Sequence, residues 1–288
     1  MVDFLKYKYL YLAISLIVIF SGFFFLFRYG ISFSIDFTGG SNISYLFNKT
    51  PDKKLIESAL SDSKIDYNKI DINKNIVNLK TEPITEKVQT KLAKTLETKT
   101  KSKIDMQLFE TVGPSVGKDT MNKTLTAAVL GVLVILSYIG FAFKGFNFAL
   151  SAIIALFHDL LVLIGVYTII AHFFGAEIDT LFITAVLTTM SFSVHDTIVI
   201  FDKIREHIKE EGKVNIGYIT NKALTETMVR SLNNSMTIVF MLLALILFGG
   251  TTIKFFIIAL LIGTITGTYS SPFVASPLLV WLEKRKKK

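Results

Sequence analysis

The sequence predicts a multi-pass α-helical membrane protein with six transmembrane helices and an extracytoplasmic α+β domain of ferredoxin-like type. Three observations carry this. Six stretches are long and apolar enough to cross a bilayer, the polar block between the first two changes its hydrophobic period, and the basic residues of the short loops gather on one side. Of 288 residues, 51% are hydrophobic and only 19% charged, more apolar surface than one soluble core of this size hides, so the surplus faces lipid. The formal net charge of +8 sits at the ends of the apolar segments and in one polar block. It therefore reads as a topology signal that also touches membrane lipid, not as a nucleic-acid patch. Without cysteine the chain has no disulfide, no thiolate metal site and no cysteine nucleophile.

The first span, 9–29, runs YLYLAISLIVIFSGFFFLF behind Lys6 and Lys8. Its apolar run is too long for a signal peptide and no A-x-A-like site follows, so it is an uncleaved anchor. In the block 30–120 the pattern shifts to short alternating and amphipathic runs. ISYLF after Gly39-Gly40 reads as a strand, and Pro51-Asp52 opens a helix through Leu60. A strand near 68–72 precedes the strand NIVNLK, Pro83 starts a helix through EPITEKVQTKLAKTLE, and KIDMQLFETV closes as a strand. The order β-α-β-β-α-β is the ferredoxin-like split βαβ. Near-balanced charge and the lack of an aromatic ladder argue against a nucleic-acid surface and for a docking or chain-handling domain. GPSVGKDT from Gly113 fails as a phosphate-binding loop, with three residues between its glycines and Asp119 after Lys118, and reads as a turn leading into span two.

The remaining spans fall at 122–142, 148–173, 179–201, 233–250 and 254–281. Lys144, then Lys203, Arg205, Lys209, Lys213 and Lys222, then the tail Lys284 to Lys288 all lie on one side. The other side carries Glu177, Asp179 and Lys254. The positive-inside rule places both termini in the cytoplasm and 30–120 outside. The chain divides into an N-terminal end with helix one (1–29), the outer domain (30–120), spans two to six with a cytoplasmic segment 202–232 (121–281), and a basic tail (282–288).

An ionisable group at the centre of a membrane helix costs about 2.5–3.5 kcal/mol on insertion scales and usually faces a bundle interior or a water path. ALFHDLLVLIGV places His158 and Asp159 midway along span three, either as a structural hydrogen-bonded pair or as a second intramembrane site. TAVLTTMSFSVHDTIVIF carries Asp196 in span four. Thr189, Ser193 and Asp196 share one helical face, and Thr184, Thr188, Ser191 and His195 form an adjacent stripe. Such a face suits a proton path or an interhelical hydrogen-bond network. Arg230, just before span five, offers a positive partner, and His195 suits proton transfer or a packed donor role. Asp202, Lys203, Arg205 and Glu206 read as a solvated helix end. The small-residue seam Gly263-x-x-x-Gly267, continued by Ser270 and Ser271, lets a helix approach closely, from within the chain or from another subunit. No catalytic triad, zinc motif or nucleotide loop appears, so the chain reads as a non-enzyme without cofactor or metal.

IDFTGG at 35–40, ETVGPSVG at 110–117, the His158-Asp159 pair, EID at 177–179, SVHDTIVIFDKIRE at 193–206, ALTETMVRS at 223–231 and LFGG at 247–250 together resemble the SecF family in order and spacing. These are the smaller, RND-like subunits of the SecDF accessory factor of bacterial protein export. The resemblance covers nearly the whole chain. It implies half of an RND-like bundle completed by SecD, in the bacterial plasma (inner) membrane. It further implies work beside SecYEG with SecA, YajC and a YidC-like insertase on unfolded secreted preproteins. The function implied is use of the proton or sodium gradient to promote late steps of translocation. The family's span-four aspartate falls on Asp196 and its arginine on Arg230, both linked to proton passage, while Asp36, Gly39, Gly40, Asp202, Arg205 and Glu206 fall on its motifs. His195 stands where the family usually has Asn, which alters the hydrogen bonding of Asp196 or the ion used. A sodium site needs several oxygen ligands, of which Asp196, Ser193 and Thr189 supply some. The alternatives are half of an RND-like lipid or small-molecule exporter and a purely structural Sec partner.

Overall fold

The computed structural model describes residues 3–143, 145–212 and 215–285. Lys144, Lys213, Lys286, Lys287 and Lys288, which enter the orientation argument, lie outside the described residues. The chain forms two compact units, residues 33–126 and residues 1–32 with 127–288.

In the smaller unit, Ser34 caps a single helical turn, α1a (Ile35–Thr38), by accepting the Asp36 amide at 3.2 Å. The chain then enters strand β1 (Gly40–Phe47), followed by helix αA (Lys53–Asp62), strands β2 (Tyr67–Asn73) and β3 (Ile76–Thr81), helix αB (Glu86–Thr100) and strand β4 (Ile104–Val112). The Asp52 carboxylate accepts the Lys54 amide at 3.0 Å, which is why αA begins there. Strand order is β2-β3-β1-β4 with antiparallel neighbours, so β1 and β2 run parallel with β3 between them. That is the expected split βαβ. Register sets Ile43 opposite Leu79 and Phe109, and Tyr45 opposite Val77. Strand alternation then brings Ile43, Tyr45, Phe47, Val77 and Leu79 to one face, sealed by Ile56, Leu60, Leu92 and Leu96 from the two helices. Each such side chain contributes about 1.5–3 kcal/mol when fully buried. The one polar tip in this core, the Tyr45 hydroxyl, accepts the Gln89 amide at 3.0 Å.

Two glycine motifs meet at the end of this sheet. Gly39 and Gly40 have φ of 73° and 128°, and a Cβ on Gly39 would lie 2.8 Å from the Pro114 Cα. A Cβ on Gly117 would lie 2.7 Å from the Gly39 nitrogen. IDFTGG and ETVGPSVG are therefore two halves of one backbone-to-backbone lock. The segment expected to turn before span two is helical instead, because Pro114, with its fixed φ and missing donor, begins a helix that runs to Ala142.

The larger unit holds α1 (Lys8–Tyr29), the remainder of α2 (Pro114–Ala142), α3 (Phe146–Phe174), α4 (Thr180–Glu211), α5 (Ile216–Phe248) and a final segment Thr251–Arg285. All six are long and apolar enough to cross a membrane. The final segment comprises a 3-10 turn at Thr251–Ile253, α6 (Lys254–Ser270), a π turn at Ser271–Ala275 and α7 (Ser276–Arg285). Pro272 and Pro277 each withhold an amide from the ladder, and the Ser276 hydroxyl bonds the Ser271 carbonyl at 2.9 Å, so the helix widens there without breaking.

Burial separates an inner from an outer set. Helices α3 and α4 are the most buried of the six apolar segments, and α1 and α2 the least. The first pair, with α6, is the centre of the bundle. Small residues set two close approaches. A Cβ on Gly22 of α1 would lie 2.2 Å from the Gly165 Cα of α3. A Cβ on Gly263 of α6 would lie 2.4 Å from the Thr189 Cβ, and one on Gly267 would lie 3.0 Å from the Ser193 Cβ. The Gly263-x-x-x-Gly267 seam thus serves a contact within the chain, with α4.

Candidate ion-coupling site

Asp159 sits midway along α3, where no water solvates a carboxylate, so neighbouring donors must. His158 Nδ1 lies 2.9 Å from its Oδ1, and the hydroxyls of Ser193 on α4 and Ser270 on α6 donate to Oδ2 at 2.5 Å and 2.6 Å. Side-chain exposure is 10% for His158 and 7% for Asp159. A void of about 10 Å³, near the size of one water, adjoins the carboxylate between Leu160, Leu163, Thr189, Met190 and Gly263.

Asp196 lies three residues beyond Ser193 and faces a different neighbour. Its Oδ1 accepts the Ser231 hydroxyl of α5 at 2.6 Å, while its buried Oδ2 closes no hydrogen bond among the described residues. Next to it, Thr197 bonds the Ser271 hydroxyl at 2.9 Å. Ser235, one turn along α5 from Ser231, accepts Thr268 of α6 at 2.7 Å. Hydroxyls from α5 and α6 therefore line the surroundings of this carboxylate.

The trio Thr189, Ser193 and Asp196 does share a buried face, but its members serve different partners. Ser193 bonds Asp159, Thr189 bonds the carbonyls of Ala185 and Val186 in its own helix, and Asp196 takes Ser231. The reason is angular: one face of α4 is broad enough to look onto both α3 and α5. The second stripe, Thr184, Thr188, Ser191 and His195, lies on the exposed side of α4. Thr184 and Thr188 satisfy themselves on the carbonyls one turn back, at 3.0 Å and 2.8 Å. Arg230 is exposed, and among the described residues no ion pair joins it to Asp196. Ser231, its successor, occupies the place expected of it.

Asp202, Arg205 and Glu206 belong to a charged cluster where α4 leaves the apolar zone. Arg205 pairs with Asp202, packs 5.7 Å over the Phe143 ring and reaches the Ala142 carbonyl at 3.5 Å. Lys203 bridges Glu206 at 2.8 Å and Glu226 of α5 at 3.3 Å, and buried His207 bonds Glu226 at 3.0 Å. The expected solvated helix end is in part a clamp between α4 and α5.

Sequence reasoning missed Ser231, Thr197 and His207. The periodic signal existed, since His207 follows Lys203 and precedes Glu211 at helical spacing, but a serine's partner across a bundle has no local signature. Among the described residues, no group of His, Asp and Glu side chains has the arrangement of a metal site. The site brings two buried carboxyl groups to hydroxyls of neighbouring helices, groups that can exchange hydrogen-bond partners and take up a proton.

Comparison with known proteins adds a family. The model for the C-terminal part of the protein export membrane proteins SecD/SecF matches residues 72–285, and that for the SecD/SecF GG motif matches residues 24–51, which hold Gly39-Gly40. The protein translocase subunit SecF of Thermobaculum terrenum is 40% identical over 99% of this chain and 95% of its own. That of Anaerolinea thermophila is 36% identical over 98% and 94%. The crystal structure of SecDF from Thermus thermophilus, described as a translocon-associated membrane protein, superposes with a TM-score of 0.85 at 26% identity. The match covers 99% of this chain and 39% of that one, so this chain corresponds to well under half of the solved SecDF polypeptide.

Proposed function

The chain belongs to the SecD/SecF family of protein export membrane proteins, and from that premise we propose that it is an accessory subunit of the Sec translocase that works with SecD. It is a multi-pass protein of the bacterial inner membrane, and in this reading both termini face the cytoplasm while the unit 33–126 lies outside. Together with SecD it draws on the proton or sodium gradient to promote late steps of preprotein translocation through SecYEG after SecA has pushed the chain in. YajC and a YidC-like insertase belong to the same assembly, and the chain itself catalyses no covalent chemistry.

The observation that carries this reading is Asp196. It is a buried carboxyl group at the contact of α4 and α5, with one oxygen held by Ser231 and the other without a hydrogen-bond partner at bonding distance among the described residues. Such a group answers a change in charge by changing which helix packing is favoured. Arg230 is the residue next to Ser231, so exchanging the serine for the arginine as partner requires a rotation of α5 by about 100°. Protonation of Asp196 removes the reason for that exchange. One charge crossing 100 mV supplies about 2.3 kcal/mol, enough to bias two packings about fiftyfold. Moving a polypeptide therefore takes repeated cycles.

A purely structural reading is favoured by one observation, that hydroxyls of neighbouring helices already saturate Asp159 as helix glue would. Export into inverted membrane vesicles containing the chain and SecD separates the two. With Asp196→Asn at normal protein level, gradient-stimulated export is lost in the ion-driven reading and retained in the structural one. Running the assay with a proton gradient and then a sodium gradient identifies the ion.

A further inference from the structure

The imidazole of His158 lies midway along α3, with a side-chain exposure of 10%, and the chemistry of Asp196 leaves it unused. Its Nδ1 faces the Asp159 carboxyl at 2.9 Å, and a charged carboxylate there accepts from an Nδ1–H, which leaves the lone pair on Nε2. Nε2 is buried and has no hydrogen-bond partner among the described residues. An unsatisfied buried nitrogen costs free energy, so its persistence calls for an explanation.

We propose that His158 and Asp159 form a second proton-binding site, separate from Asp196, in which the arriving proton is taken up at Nε2. Uptake forms one N–H bond and breaks none within the pair, and the charge of the pair goes from −1 to 0. A net charge in the bundle interior becomes an internally compensated ion pair, which burial favours. Asp159 keeps its hydroxyl donors, Ser193 and Ser270, in both states. Among the described residues, the titratable groups named on the neighbouring helices are engaged elsewhere or exposed. On α4, Asp196 is held by Ser231 and His195 is exposed; on α6, the Tyr269 hydroxyl bonds the Tyr11 carbonyl of α1; on α3, the Tyr167 hydroxyl bonds the Glu177 carbonyl.

The site also has a route to the first one. Ser270 donates to Asp159, and Ser271, the next residue, meets Thr197 beside Asp196. These two serines are the last residue of α6 and the first of the π turn, the point at which the final span changes pitch. A change of charge at His158-Asp159 therefore acts on the same turn that borders Asp196.

This deepens the ion-driven reading but is tested without export. The chain has four histidines, so nitrogen-15 labelled histidine in the full-length protein with SecD, in lipid nanodiscs, gives few signals, and His158→Gln identifies the one in question. On acidification the His158 signal changes from the Nδ1–H neutral pattern to the imidazolium pattern. In Asp159→Asn the imidazolium pattern is lost over the same pH range, and in Ser270→Ala, a milder change that spares both ionisable groups, it is retained. Asp196→Asn leaves it in place. A His158 that stays neutral in the wild type, or ionises equally in Asp159→Asn, overturns the proposal while leaving the Asp196 export test untouched.

Discussion

Ser231 makes a contact with Asp196 next to Arg230, the positive partner that the position before span five offers. The carboxylates themselves were legible, since an aspartate in an apolar run of helical length has few places to go. Their partners were not, because a serine on another helix contributes nothing to local periodicity and its pairing depends on helix rotation. Hydrogen bonds to charged groups are worth about 1.5–3 kcal/mol. Ser231→Ala should therefore reduce gradient-stimulated export without abolishing it, and Ser231→Thr, which keeps the hydroxyl, should retain most of it; vesicle export measures both. Gly263 gives a sharper test of packing. Overpacking costs about 1–3 kcal/mol, so Gly263→Ala should lower the thermal midpoint by several degrees. Thr189→Gly in the same chain should recover it, because the clash lies with the Thr189 side chain.

At the scale of elements, the strands and helices of the smaller unit were legible because one period replaces another cleanly: Ile43, Tyr45 and Phe47 alternate, while Ile56, Leu60, Leu92 and Leu96 recur at helical spacing. The single turn Ile35–Thr38 and the π turn Ser271–Ala275 were not legible. The first is set by the Ser34 cap and the second by its prolines and neighbours, not by hydrophobic pattern. Gly117 distinguishes propensity from tertiary contact. In an isolated helix Gly→Ala gains up to about 1 kcal/mol. Here the added methyl meets the Gly39 backbone, so Gly117→Ala should destabilise the protein in a denaturant titration. Gln89→Ala belongs to the same scale. It leaves the buried Tyr45 hydroxyl without its donor and should cost about 1–3 kcal/mol, with Tyr45→Phe in the same chain recovering part of the loss.

For the whole molecule, six spans and one small α+β unit follow from segment length and period, while the sidedness of the chain rests on the basic loops. The absence of cysteine makes that sidedness easy to test. In intact cells an impermeant maleimide should label Lys94→Cys once the outer envelope is opened, and Lys209→Cys only after the inner membrane is permeabilised. The central claim, that a buried carboxylate couples an ion gradient to export, is tested most directly by ion entry itself. Proteoliposomes loaded with a pH-sensitive dye, holding this chain with SecD and SecYEG and supplied with SecA, ATP and an unfolded preprotein, report proton movement during translocation. Translocation-dependent proton entry in the wild type that disappears in Asp196→Asn is the predicted result; equal proton entry in the two, at equal protein content, would contradict it.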